Sequence, residues 1–117
     1  MHTVFQVGFH VAGTLAANID IAWAAPMDVQ LVHCSACGSN ANNGLLTLGT
    51  TTTADAYLTS SSIGDSLVPA EFDRDNFVGT QYPHIAKGTV IEITLDYDGS
   101  SGTATQDFTI VLTFTAG

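Results

Sequence analysis

The 117-residue sequence predicts an all-β fold: a two-sheet antiparallel sandwich, jelly-roll-like, with seven or eight strands. Three observations predict it. Apolar residues recur with period two over five stretches. No window carries a helical apolar period with caps. Turn-forming residues punctuate the chain at short intervals. At this length the chain reads as a single domain over 1–117, able to bury a core without a metal or disulfide framework.

The first stretch, Thr3 to Val11, sets Phe5, Val7, Phe9 and Val11 on one face. The second, Leu15 to Trp23, sets Leu15, Ala17, Ile19, Ile21 and Trp23 on one face, with Asn18 and Asp20 opposite. Met27, Val29 and Leu31 then alternate with Asp28 and Gln30. Thr89 to Tyr97 directs Ile91, Ile93, Leu95 and Tyr97 inward. Asp107 to Thr115 directs Phe108, Ile110, Leu112 and Phe114 inward, with three threonines outward. β-Branched and aromatic side chains dominate these runs, as a half-buried pleated surface favours. Leu45 to Thr51 and Asp55 to Thr59 read as shorter strands, and Gly64 to Gly79 as a long connection holding at most one strand. Gly13, Pro26, Asn43-Gly44, Gly64-Asp65 and Gly79 fall between the runs as hairpin turns. Asp98-Gly99-Ser100-Ser101-Gly102 joins the last two strands.

Charge excludes whole classes of partner. The formal net charge is −9, with Arg74 and Lys87 the only cations besides histidine. Two cations cannot build the basic patch that displaces counterions from phosphates, so DNA, RNA and anionic membranes are excluded as direct partners. Residues 29–54 carry no charge, but Ser39-Asn40-Ala41-Asn42-Asn43-Gly44 is too polar for lipid. Met1-His2-Thr3 lacks a cationic n-region, and Gln6 and His10 interrupt the apolar run, so no signal peptide is expected.

Each constellation that could carry chemistry has a simpler reading. Cys34 and Cys37 form a Cys-x-x-Cys pair, but a structural zinc needs four ligands and no second pair exists. The alternation places the two on opposite faces, as small, partly buried side chains at a strand end. His10 falls on a polar face beside Gln6. His33 falls on the apolar face in register with Leu31, as a hydrogen-bonded core histidine. His84 follows Tyr82-Pro83 in a solvated loop, and His2 is terminal. Asp73-Arg74-Asp75-Asn76 and Asp96-Tyr97-Asp98-Gly99 do not match a calcium loop, and turn chemistry accounts for the second. Ser60-Ser61-Ser62 lacks a nucleophile elbow and a base. The sequence therefore predicts no enzyme, no catalytic, cofactor or metal residues, and no cofactor.

Phe72-Asp73-Arg74-Asp75-Asn76-Phe77 and Tyr82-Pro83-His84-Ile85-Ala86-Lys87-Gly88-Thr89 are the most distinctive text. They lead into Ile91-Glu92-Ile93-Thr94-Leu95-Asp96-Tyr97-Asp98-Gly99, and the chain closes with Phe108-Thr109-Ile110-Val111-Leu112-Thr113-Phe114. This text resembles small β-sandwich structural and decoration proteins of tailed-phage virions, over most of the chain and most clearly from about Leu45 onward. The resemblance implies a virion component assembled in the host cytoplasm, as a capsid decoration protein or head fibre. Its partners would be the major capsid protein or another virion protein, and it brings no catalytic residues.

Assembly follows from surface composition. Outward faces poor in charge and rich in threonine and alanine lower the cost of a subunit contact. The closing strand Phe108 to Thr115, apolar and free of lysine and proline, would be hazardous as an exposed edge. A homo-oligomer is expected, with a trimer favoured because it suits local three-fold positions of a shell. The alternative function is a carbohydrate-binding sandwich module. Its aromatic candidates are Trp23, Tyr57 and Tyr82, and Trp23 is in register with Ile19 and Ile21 and so reads as core.

Overall fold

Alternating hydrophobicity over these stretches is realised largely as strands. The computed structural model describes residues 3–116, and these contain nine strands and no helix. The strands are β1 (Thr3–Thr14), β2 (Ile19–Ala24), β3 (Val29–Cys37), β4 (Leu45–Thr50), β5 (Leu58–Ser62), β6 (Ala70–Phe72), β7 (His84–Ile85), β8 (Val90–Asp96) and β9 (Gln106–Ala116). One sheet runs β1-β9-β3-β6, with β7 also on β3; the other runs β2-β8-β4-β5. All pairings are antiparallel. Between the sheets Leu31, Leu46, Leu48, Ile91, Ile93, Leu95, Phe108, Ile110, Leu112 and Phe114 are wholly buried.

Nine strands replace the expected seven or eight because β6 and β7, of three and two residues, are too short to show a period. The hairpin reading also fails at every turn named above. Among consecutive strands only β4 and β5 pair with each other; Asp98–Gly102 instead carries the chain from β8 in one sheet to β9 in the other. An inward residue looks the same in sequence whichever sheet holds it.

Other boundaries move for local reasons. Leu15 to Trp23 is not one strand. Leu15 is buried and donates its N–H to Thr105 O at 3.0 Å, Ala17 is exposed, and β2 begins at Ile19 after the chain changes sheets. Met27 lies outside β3 and is 42% exposed. Within β3 the pairing with β9 slips between Leu31 and His33, so Val32 is an extra, bulged residue. The bulge turns His33 outward and Cys34 inward, correcting the core placement of His33. The expected strand Asp55 to Thr59 starts later, at Leu58. Finally, β9 is no edge. It pairs with β1 on one side and β3 on the other, so the aggregation hazard assigned to Phe108–Thr115 does not arise.

The edges are β1 and β2 at one side of the sandwich and β5, β6 and the short β7 at the other, and the two sides differ. At the β5/β6 side, the segment after β5 covers the core. Ile63, Phe72 and Phe77 are buried, and Val78 donates its N–H to Tyr57 O at 2.9 Å. At the β1/β2 side no comparable segment of the described residues covers the core. Phe5, Val7, Phe9 and Val11 of β1 and Ile19, Ile21 and Trp23 of β2 pack against the core but stay half-buried. Phe5 and Trp23 meet there across the sheets with ring centroids 6.3 Å apart, both stacked on Phe114.

Candidate functional site

Polar strand residues line the outer face of the β1-β9-β3-β6 sheet. Antiparallel register sets Gln6 opposite Thr113 and His10 opposite Thr109. Gln6 Nε2 donates to Thr113 Oγ1 at 3.1 Å, and His10 Nδ1 lies 2.7 Å from Thr109 Oγ1. His10 thus stands on the polar face as its alternation predicts. Farther across, His33 Nε2 is 3.5 Å from Glu71 Oε1, and Gln30 Nε2 is 3.1 Å from His84 Nε2. His84 is exposed in β7, not in an irregular loop. Cross-strand pairs spread the histidines over the sheet, and His2 lies outside the described residues. This face is hydrogen-bonding and almost free of charge in a chain whose net charge is −9.

A groove of about 660 Å³ opens where β3, β7 and the end of β9 meet, lined by Asp28, Val29, Gln30, His84, Ile85, Ala86 and Thr115. Its carboxylate, Asp28 Oδ1, already accepts the Lys87 N–H at 2.8 Å. The lining offers no serine or cysteine nucleophile. Such a surface can hold a polar or backbone segment.

The remaining candidates are structural. Cys34 and Cys37 are free thiols, and both are buried rather than partly buried. Burial pushes the Cys34 thiol up to about 12, which keeps it protonated and unreactive. Among the described residues no group of three His, Cys, Asp or Glu side chains comes together to hold a metal ion. The acidic loops spend their oxygens on their own backbone: Asp73 Oδ1 accepts Asp75 N, Asp96 Oδ1 accepts Gly99 N, and Asp98 Oδ1 accepts Ser100 N. Ser61 Oγ donates to Thr59 O. Trp23 turns inward and stacks on Phe114 at 5.0 Å, Tyr57 is half-buried and Tyr82 is 36% exposed, so the three aromatics make no flat platform.

Sequence reasoning missed an asparagine clasp. Asn40 Nδ2 donates to Ala104 O and its Oδ1 accepts Gln106 N. Asn42 Nδ2 donates to Asn40 O and Gly64 O, and its Oδ1 accepts Gly44 N. Asn43 Oδ1 accepts Thr103 N. Nearby, Asp107 sits at φ 48° and joins three segments, accepting Gly13 N at 2.7 Å and Ser39 Oγ at 2.8 Å. Those two hydrogen bonds, the backbone one first, hold its carboxyl below the ordinary aspartate range. The density of asparagine between Gly38 and Gly44 was the available signal, since asparagine competes with regular structure by bonding backbone groups.

No protein-family model matches the chain, and no curated protein matches it. The fold is shared. A chain of the cyanophage Pam1 capsid asymmetric unit superposes with a TM-score of 0.59, at 13% identity, over 99% of this chain and 85% of that one.

Proposed function

We propose that this chain is a structural component of a phage virion, carried on the capsid surface as a decoration protein. The observation that carries the reading is end-to-end similarity of fold to a chain of a phage capsid asymmetric unit, over 99% of the residues. The strand order β1-β9-β3-β6 facing β2-β8-β4-β5 supports a jelly-roll architecture, common in capsid proteins. The outer face of the β1 sheet, rich in threonine, glutamine and histidine, suits a wet docking contact with the major capsid protein or another virion protein. In this reading the protein reaches the particle during assembly in the host cytoplasm, works as a homo-oligomer with a trimer favoured, and performs no catalysis. It takes no cofactor and binds neither nucleic acid nor membrane.

The test is protein mass spectrometry on gradient-purified particles of the source phage, before and after protease treatment of intact virions. A surface component is present at tens to hundreds of copies and is cleaved while the capsid interior is spared. Absence from the particles overturns the reading.

A further inference from the structure

The two lateral sides of the sandwich are built differently, and the difference needs a physical reason. At the β5/β6 side the chain spends some twenty residues, from Ile63 to Pro83, closing the gap between the sheets, and Phe72 and Phe77 are buried as a result. At the β1/β2 side the inward residues of both edge strands pack against the core yet remain only partly buried, and Trp23 is among them. β1 is also an unprotected edge. It has twelve residues, contains no proline, lysine or carboxylate, and keeps regular register with β9 from Thr3 to Val11, with an irregularity only between Val11 and Thr14. Soluble proteins normally blunt such an edge with a charge, a proline or a bulge.

We infer that the open β1/β2 side is a self-association face, and that its occupant is a second copy of this chain. Two features favour a copy over an unlike partner. The first is charge. Two chains of net charge −9 repel wherever their carboxylates face one another, yet the whole of β1 and the seam residues of β2 are uncharged, and Asp20 points to the outer face, where its Oδ1 accepts the Thr94 hydroxyl at 3.1 Å. Like chains can meet along this strip without carboxylates facing one another, and its inward residues are apolar. The second is size. The molecule is 42 Å long. β1 has twelve residues and β2 six, so the side runs about 40 Å along β1 and about 20 Å along β2. With about 10 Å between the sheets and roughly 5 Å of strand edge on each side, it offers on the order of 600 Å² per copy, one partner's share at the low end of a specific interface. Copies turned with their open sides to a common axis would close the core of each and remove both unprotected edges, and three copies would do so around a three-fold axis. The inference rests on the homo-oligomer proposed above and assigns its contact face.

The single tryptophan lies in this seam, so the protein reports on its own association. Light scattering after size exclusion gives the mass, and acrylamide quenching of Trp23 gives exposure of the seam, each across a concentration series. The full chain should run at three times its 12.2 kDa, and Trp23 should become more quenchable as dilution dissociates it. The V7E/I21E pair places two carboxylates in the seam, where the separated chain can hydrate them. It should raise the concentration of half-dissociation by about 100-fold or more while the β-sheet spectrum is kept. A dimer abolished by V7E/I21E supports the face and corrects the three-fold order. An oligomer that V7E/I21E leaves intact overturns the face but not the oligomer. A wild-type monomer at 100 μM with concentration-independent quenching overturns both, whatever the virion contains. If V7E/I21E does not fold, the wild-type dilution series alone decides.

Discussion

Leu112 is the most informative position at which to probe the core. It lies on β9, the central strand of its sheet, opposite Val7 of β1 on one side and Cys34 of β3 on the other, and it is wholly buried. Leu112→Ala removes three carbons from a site with no route to solvent. At ~0.8 kcal/mol per buried methylene the transfer loss is about 2.4 kcal/mol, and the cavity left among rigid strands brings the total to about 3–4 kcal/mol. A domain of this length is stable by roughly 6–18 kcal/mol, so Leu112→Ala should fold, with its urea midpoint lowered by about 1–3 M. Leu112→Asp adds several kcal/mol for an unpaired buried carboxylate and should leave no cooperative transition at pH 7. Its penalty should ease on acidification, because burial raises the carboxyl's folded pKa and the neutral acid is cheaper to bury. Trp23 fluorescence at fixed protein concentration compares both variants with the wild type. A soluble Leu112→Asp variant with the wild-type midpoint would refute the inward assignment of β9.

Three further outcomes follow from the same geometry. Asn42→Ala removes the side chain that bonds Asn40 O, Gly64 O and Gly44 N, and should cost about 1–3 kcal/mol, read as a melting temperature lower by roughly 4–12 °C; an unchanged melting temperature would mean the clasp is idle. The Asp107 carboxyl is held below the ordinary aspartate range, so its contribution is complete above that range and is lost as pH falls through its lowered folded value; Asp107→Asn should flatten the acid limb of the stability curve, and a variant with an undiminished limb would contradict this. Cys34, in a Cys37→Ala background at pH 8, should react with a disulfide reagent about a thousandfold or more slowly when folded than in denaturant, because a thiol pushed up to about 12 is scarcely ionised; equal rates would place it at the surface.

The sequence made the core strands readable because period-two alternation survives whichever sheet a strand joins. Ile91, Ile93, Leu95, Phe108, Ile110, Leu112 and Phe114 were legible for that reason and are wholly buried. Topology was not legible, because Asp98–Gly102 has the composition of a hairpin turn while linking different sheets. His33 was misplaced because one bulged residue, Val32, shifts the phase of everything after it, and no residue type announces a bulge at that position. The asymmetry between the two lateral sides was invisible for a different reason. Phe5, Phe9 and Trp23 look like fully buried core residues in sequence, and only the arrangement of strands reveals that they lie at an edge and stay partly buried.

The proposed place of this protein on a phage head is tested most directly by an electron-microscopy map of the source virion at a resolution that separates strands. The result expected is a nine-stranded sandwich standing on the outer surface of the capsid, in contact with the shell and grouped so that the β1/β2 sides of neighbouring copies face one another. A complete map of head and tail in which no density accommodates this chain would contradict it.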